Sequence, residues 1–371
     1  MTTPADDPNP AQNAHDAALA PLRAEIDQLD ARLIELLNQR ARVVVDIGKV
    51  KQQTAGPIYA PERERRVLDR IHQLNQGPLP DSCIAAIWRE LMSGSFALER
   101  PLRIGYLGPP GSFSHAAAAS KFGASVEYDN LDTIPMIFDA VRRGHCDYGL
   151  APIENSTEGS VNATLDGLME DAPPVCAEVV IAIHHNLLAN GDAPGIRKVY
   201  SHPQALAQCR NWLAAQFPRV EQVAASSTSK AAEIASQEPG AAAIASTMAA
   251  KLHGLLVQFE NIEDRTDNNT RFLVIGDQKP PATGRDKTAL LFTLDNRAGA
   301  LAEVLRVFAD RGLNLTHIDK RPSRAANWEY AFFVDVDAHR DDPPLRAAVD
   351  AIAPHCRSVR VLGSFPSATG E

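Results

Sequence analysis

Four short segments place small polar side chains where an apolar run ends: GPPGSFSHAAA (108–118), DYGLAPIENSTEGSV (147–161), YSHPQALAQC (200–209) and NNTRFLVI (268–275). Hydroxyls and carboxamides of this kind orient a polar substrate and donate hydrogen bonds to it without setting a strong charge against it. Ligand sites of α/β folds form at such element ends. The glycine loop of the first segment leads into a helix N-terminus, which favours anions but matches no nucleotide fingerprint. Either an ordinary set of turns or the lip of one cleft would account for the four segments.

A second set is cationic. Arg23, Arg40 and Lys51 lie on one helical stretch. The 11 residues from Arg40 to Lys51 make about three turns plus 20°, so both lie on one face about 16 Å apart. Two long side chains at that spacing can converge on one small anion. Arg23 sits about 25 Å from Arg40 and about 100° round the helix. It reaches the same ligand only from an antiparallel partner helix. Arg63, Glu64, Ser95 and Glu99 follow on two further helices, with Ser95 and Glu99 at i,i+4 on one face. For any one of these residues a solvated helix surface is the plainer account.

The elements that must carry these groups fall into three textures. Residues 19 to 51 keep Leu22, Ile26, Leu29, Leu33, Leu36, Leu37, Val43, Val44, Ile47 and Val50 at three-four spacing, which predicts one long helix. Pro57 and Pro61 break it. A helix from about Pro61 and another from Asp81 to about Leu98 complete a thin unit whose seam is best buried against a second copy. From Pro101 to about Ile275 strands and helices alternate, predicting α/β with a mostly parallel sheet. After a linker, residues from Lys287 read strand, helix, strand, strand, helix, strand, a ferredoxin-like βαββαβ unit.

Composition bounds the function. The chain has 371 residues, 44 % apolar, with a net charge of −9 and no lysine-rich block, so nucleic acid is not an expected partner. No apolar run is long enough for a membrane helix. The first residues, MTTPADDPNPAQNAHDAA, lack a secretory h-region and read as a disordered tail over 1–17. Five scattered cysteines signal neither zinc nor a disulfide framework, and a reducing cytoplasm fits them. Of His115, His184, His185 and His202, the adjacent pair would point to opposite faces of a strand, so no metal and no cofactor are expected.

LRAEIDQLDARLIELLNQRARVVVDIGKVK, followed by PIYAPERE and a helix with Ser95 and Glu99, resembles the all-helical chorismate mutase family. The resemblance implies an intertwined dimer that binds chorismate, with Arg23 from the partner and Arg40, Lys51 and Arg63 from the same chain holding two carboxylates. It implies that Glu64 bonds the ring hydroxyl and that Ser95 belongs to the site. Such a rearrangement needs positioning and electrostatics, not a nucleophile. Two positions depart from the pattern. Ala60 stands where an aspartate is common, and Glu99 where some members have glutamine against the ether oxygen. Only a protonated carboxyl donates to an ether, so mutase activity is expected to fall as pH rises.

The four polar segments together resemble prephenate dehydratase. The resemblance implies two periplasmic-binding-protein-like lobes with the site between them, and loss of hydroxide and CO2 from prephenate. Thr270 would donate towards the leaving hydroxyl, and Arg271 would hold a carboxylate or brace the site. Asn155, Ser156, Ser201 and Gln204 would orient the substrate, Ser112 and Ser114 bind its anionic end, and Phe272 complete the TRF motif. Glu154 is expected to brace the turn. NRAGALAEVLRVFADRGLNL resembles an ACT domain, which implies phenylalanine bound by Asn296, Gly299, Ala300 and Leu301. Asp319 and Arg321 stand in the Asp-Lys-Arg-Pro stretch where the family usually has Glu-Ser-Arg-Pro.

The expected organisation is therefore multidomain: an all-α mutase over 18–100, an α/β two-lobed periplasmic-binding-protein-like dehydratase over 101–280, and an α+β ferredoxin-like ACT domain over 286–366. The expected function is a bifunctional enzyme of phenylalanine biosynthesis, a homodimer or higher homo-oligomer with chorismate and prephenate as substrates and phenylalanine as effector. The alternatives are a dehydratase with a degenerate mutase, because of Ala60, and a non-catalytic ligand sensor.

Overall fold

The computed structural model describes residues 10–54, 58–191, 193–322 and 329–368. Helix α1 (Pro10–Thr54) and Leu98–Arg100 cluster as one compact unit; Tyr59–Ala97 and the chain from Pro101 form the other. Of the tail expected over 1–17, residues 1–9 lie outside the described residues, and 10–17 are helical instead. The alanine-rich AQNAHDAALA is a good helix former without an apolar stripe, so periodicity alone starts the helix too late. Pro57 also lies outside the described residues. The apolar stripe of α1 is exposed: Ile26 is 56 %, Leu33 54 % and Val43 59 % accessible. A lone helix with such a stripe has no core of its own.

In the second unit, α2 (Pro61–Leu74) starts on a proline in its first turn, where the missing N–H costs nothing. It is followed by α3 (Asp81–Glu99). The first lobe comprises β1 (Arg103–Leu107), α4 (Phe113–Phe122), β2 (Glu127–Leu131), α5 (Ile134–Arg142), β3 (Tyr148–Asn155), β4 (Gly159–Ser160), α6 (Asn162–Met169) and β5 (Val175–Ala182). The chain then crosses to a second lobe of β6 (Asn186–Ala189), β7 (Lys198–Ser201), α7 (Pro203–Gln208), α8 (Arg210–Gln216), β8 (Glu221–Ala224), α9 (Thr228–Gln237), β9 (Ala241–Ala245), α10 (Thr247–His253) and β10 (Leu256–Phe259). It returns through β11 (Asn269–Ile275), which inserts between β3 and β5.

Both sheets are mixed, which corrects the expectation of mostly parallel pairing. β1 pairs parallel with β2 and β3, and β7 with β8 and β9. The strands flanking the two crossings run the other way: β11 against β3 and β5, and β6 against β9 and β10. The run VVIAIHHNLLA is accordingly two strands joined by an interlobe crossing, and His184 and His185 belong to that crossing.

The C-terminal domain is βαββαβ as its pattern predicts: β12 (Asp286–Leu294), α11 (Ala300–Ala309), β13 (Leu315–Pro322), β14 (Tyr330–Val336), α12 (Pro343–Ile352) and β15 (Ser358–Pro366), in sheet order β13-β14-β12-β15. Its sheet packs on the first lobe. Leu291, Phe333 and Phe365 share one buried cluster with Ile137, Phe138 and Ile275. A Cβ at Gly363 would stand 1.9 Å from the Val175 carbonyl oxygen, far inside contact distance. Gly363→Ala is therefore expected to force β15 away from β5 and to cost at least about 1–3 kcal/mol. A lower thermal midpoint and faster proteolysis in the 277–285 linker would record it, and unchanged values would refute this reading of the junction.

Candidate active sites

The two lobes enclose a cavity of about 440 Å³. Ser112, Ser114, Asn155, Gln204, Thr270 and Phe272 all line it, so the four polar segments converge on one space. Strand alternation explains why Thr270 and Phe272 face it together. Among the described residues lining it there is no lysine or arginine; Glu158 is the one carboxylate. The positive field comes instead from helix N-termini. Ser112 caps α4 by accepting from His115 N, and Ser227 caps α9 by accepting from Lys230 N; both caps line the cavity. The loop before α4 needs Gly111 in the left-handed region at φ 82°, and a Cβ there would meet Ser229 Oγ at 2.8 Å. Ser246 Oγ of the second lobe donates to Gly111 O at 2.9 Å.

Asn155 organises the opposite wall. Its Oδ1 accepts the backbone N–H groups of Thr157 and Glu158, both at 3.0 Å, and the Thr157 hydroxyl at 2.6 Å. Backbone N–H groups only donate, so the amide has one allowed orientation. Its Nδ2 then faces Asn268 Oδ1 and Thr270 Oγ1, each at 2.8 Å, and Asn269 O at 3.2 Å. Thr270 Oγ1 is an acceptor in that bond, and its own proton remains free to point elsewhere.

The same logic runs outward. With Oδ1 committed, Asn268 Nδ2 donates to Gln208 Oε1 at 3.2 Å. His185 Nε2 lies 2.8 Å from the same oxygen, so it carries the hydrogen and Nδ1 is bare. Burial pushes the His185 pKa down, in keeping with a neutral ring. Glu263 Oε2 accepts His185 N at 2.8 Å, and its Oε1 lies 2.7 Å from His184 Nδ1. The two interlobe crossings, around 183–185 and 260–268, are thereby laced together beside the cavity.

Three residues expected against substrate are turned elsewhere. Ser201 is fully buried and donates to Ile244 O at 2.7 Å, tying β7 to β9. Ser156 Oγ donates to Asp267 O at 2.8 Å and accepts from Asn269 N at 2.9 Å, closing the lip on the second crossing. Arg271 alternates away from Thr270 and pairs with Glu178 at 2.7 Å and Asp335 at 2.5 Å, so of the two roles expected for it these contacts fit bracing. Burial alone would raise the Glu178 pKa, but Arg271 and Lys287 bring it below the usual carboxylate value. Glu154 lies 3.2 Å from His317 Nδ1, a brace from the C-terminal domain. His185 and His202, weighed above only as metal ligands, also line the cavity, as do Gln208, Ser226, Ser227, Thr228 and Asn268, to which the sequence gives no role. Asn268 stands directly before NTRF, and the Ser-Ser-Thr run has the ordinary signature of a helix cap, which conceals it.

In the α1 unit, Lys51 Nζ lies 3.1 and 3.3 Å from the two Glu99 oxygens and 3.2 Å from Ile58 O. Glu99 is thus ion-paired with Lys51, whereas the resemblance places it against the ether oxygen. Arg23 is exposed near Asp16, at 3.9 Å, and Arg40 is half-buried. In the second unit, Arg63 is exposed, Glu64 Oε2 receives Lys121 Nζ at 2.8 Å and Tyr59 OH at 3.0 Å, and Ser95 Oγ donates to Leu91 O at 2.6 Å.

In the C-terminal domain, Gly299 precedes α11, with Ala300 and Leu301 in its first turn and Asn296 upstream. Arg321 makes a bidentate contact with Asp166 of α6 at 2.7 and 2.9 Å. Asp319 Oδ1 accepts from Lys320 N at 2.9 Å, and its buried Oδ2, 3.8 Å from His317 Nε2, makes no hydrogen bond among the described residues.

Comparison with known proteins matches these parts in order. Family models for chorismate mutase type II, prephenate dehydratase and the ACT domain match residues 22–100, 104–280 and 288–354. A bifunctional chorismate mutase/prephenate dehydratase of Pseudomonas aeruginosa is 45 % identical over 357 residues, covering 94 % of this chain and 98 % of the relative. The crystal structure of a prephenate dehydratase from Arthrobacter aurescens in complex with L-Phe has a TM-score of 0.68 at 32 % identity, over 73 % of this chain and 92 % of that one. A solved structure described as GqqA, a novel type of quorum quenching acylase, has a TM-score of 0.67 at 27 % identity, over 72 % of this chain and 98 % of that one. With three domains in the same order and near-complete coverage of a close relative, the chain belongs to the bifunctional chorismate mutase/prephenate dehydratase family.

Proposed function

We propose that the interlobe cavity converts prephenate to phenylpyruvate and that the helical region converts chorismate to prephenate. The observation that carries the first half is the fixed Asn155 amide, which makes Thr270 an acceptor on one side and leaves its proton for the substrate. In the reaction the C–C bond to the ring carboxylate breaks and releases CO2. Its electron pair completes the aromatic ring, the C–O bond breaks, and hydroxide leaves as water once it gains a proton. Thr270 supplies a hydrogen bond to that departing oxygen. The lack of lysine and arginine among the described residues lining the cavity suits the decarboxylation, because a cation on the leaving carboxylate would hold it back. The second carboxylate is assigned to the N-termini of α4 and α9 at Ser112, Ser114 and Thr228, with Gln204 orienting the ring and Phe272 packing beside it.

For the mutase, Arg23, Arg40, Lys51 and Arg63 remain the assigned cations for chorismate, with Glu64 and Ser95 as hydrogen-bonding partners. Substrate carboxylates would draw Lys51 from Glu99, which then serves the ether oxygen only when protonated. The exposed stripe of α1 fits burial against a second copy, which would also supply Arg23. Phenylalanine is assigned to the start of α11 with Asp319, whose buried Oδ2 accepts no hydrogen bond among the described residues and could take one from a ligand ammonium. Five free thiols among the described residues suit a reducing cytoplasm.

Thr270→Val is expected to lower dehydratase kcat by about 10²–10³, the range for removing one transition-state donor. Thr270→Ser should stay within about tenfold of wild type, since it keeps the hydroxyl. Both should leave chorismate turnover unchanged, and equal loss of the two activities would refute separate sites. Mutase kcat/KM should fall as pH rises in the wild type and be flat in Glu99→Gln, whose amide donates at every pH. The same slope in both proteins would remove the ether role.

A further inference from the structure

We propose that Lys121, on dehydratase helix α4, is a positioning residue of the mutase: it holds Glu64 in place for chorismate. The proposal rests on the assignment of Glu64 as a chorismate contact. Lys121 Nζ lies 2.8 Å from Glu64 Oε2, and the two side chains are only 22 % and 12 % exposed. Tyr59 OH donates to the same oxygen at 3.0 Å. Glu64 Oε2 is therefore saturated, while Oε1 takes no hydrogen bond among the described residues and is the atom left to accept from a substrate hydroxyl.

The arrangement is built in. Tyr59 is 1 % exposed and packs edge-on against Phe96 of α3, Phe122 of α4 and Tyr148 of β3, with ring centroids 5.1–5.9 Å apart. Lys121 Nζ stands 5.9 Å from the Tyr59 ring centre. Burial first, and Glu64 second, raise the Tyr59 pKa, so the phenol keeps its proton and donates. α2 is fastened again at Arg65, whose Nη1 donates to Ser367 O at 3.1 Å. α3 is fastened to the chain after α4, where Glu90 Oε2 and Ser93 Oγ accept Ala124 N and Ser125 N at 3.0 and 2.9 Å. Two mutase helices are thus mounted on the dehydratase lobe, and Glu64 takes its orientation from across that junction. An ion pair this sheltered fixes geometry better than an exposed one, where side-chain entropy competes.

The test uses the full chain, with chorismate and prephenate supplied in separate assays. Lys121→Met is expected to lower mutase kcat/KM about tenfold, at the low end of what misplacing a substrate-contacting group costs. The loss should appear in KM, because Glu64 grips substrate and transition state alike. Lys121→Arg should recover most of the mutase activity, and dehydratase kcat/KM should stay within about twofold in both. Combining Lys121→Met with Glu64→Gln should cost no more than Glu64→Gln alone, the non-additivity of residues acting through one another. Full additivity, equal loss of both activities, or a Lys121→Met enzyme with wild-type mutase kinetics would overturn the proposal. A Glu64→Gln enzyme with wild-type mutase kinetics would remove the underlying Glu64 assignment as well, whereas impairment confined to Glu64→Gln would remove Lys121 alone.

Discussion

Two backbone N–H groups, those of Thr157 and Glu158, donate to Asn155 Oδ1, and the polarity of the dehydratase wall follows from them. A turn can present backbone donors in only one sense. Once the carboxamide is fixed, the directions at Thr270, Asn268, Gln208 and His185 follow in sequence. The ENSTEGS segment is in that respect less a row of substrate ligands than the frame for one of them. Most of its polar atoms are spent on each other and on the second crossing, and the result delivered to the cavity is an oriented threonine hydroxyl.

The site is assembled at the hinge of the two lobes. Glu263 bridges both crossings, and Gln208 reaches from the second lobe to Asn268 beside Thr270. The contact between the lobes and the aim of the Thr270 proton therefore share one hydrogen-bond chain. The residue after Thr270 reaches the other way: Arg271 joins Glu178 and Lys287 in a buried charge cluster with Asp335 of the C-terminal domain. Buried ion clusters are weak sources of net stability but strong constraints on register. Thr270 is held between a hinge on one side and the C-terminal domain on the other.

Much of this was legible in the sequence. The 3.6-residue period of α1, the strand-helix alternation and the βαββαβ pattern are local signals, and they delivered the three domain types. The cleft members Asn155, Gln204 and Thr270 announced themselves as polar residues at element ends. What stayed hidden was non-local. Periodicity cannot show that VVIAIHHNLLA changes lobes midway, or that β11 returns antiparallel between β3 and β5. Ser156 and Ser201 looked like ligands because a hydroxyl reads the same in sequence whether it faces a cavity or a backbone carbonyl. Lys121, in a plain alanine-rich helix, carried no signal, since its partner lies 57 residues away.

The central claim is that the Asn155 amide directs the Thr270 proton to the substrate, and Asn155→Asp tests it most directly. Aspartate still accepts from Thr157 and Glu158 but cannot donate to Thr270, so the hydroxyl turns its proton onto the carboxylate. Dehydratase kcat on prephenate should fall by about 10²-fold or more, the loss of one oriented donor, with chorismate turnover unchanged. An Asn155→Asp enzyme that dehydrates prephenate at the wild-type rate would contradict the account.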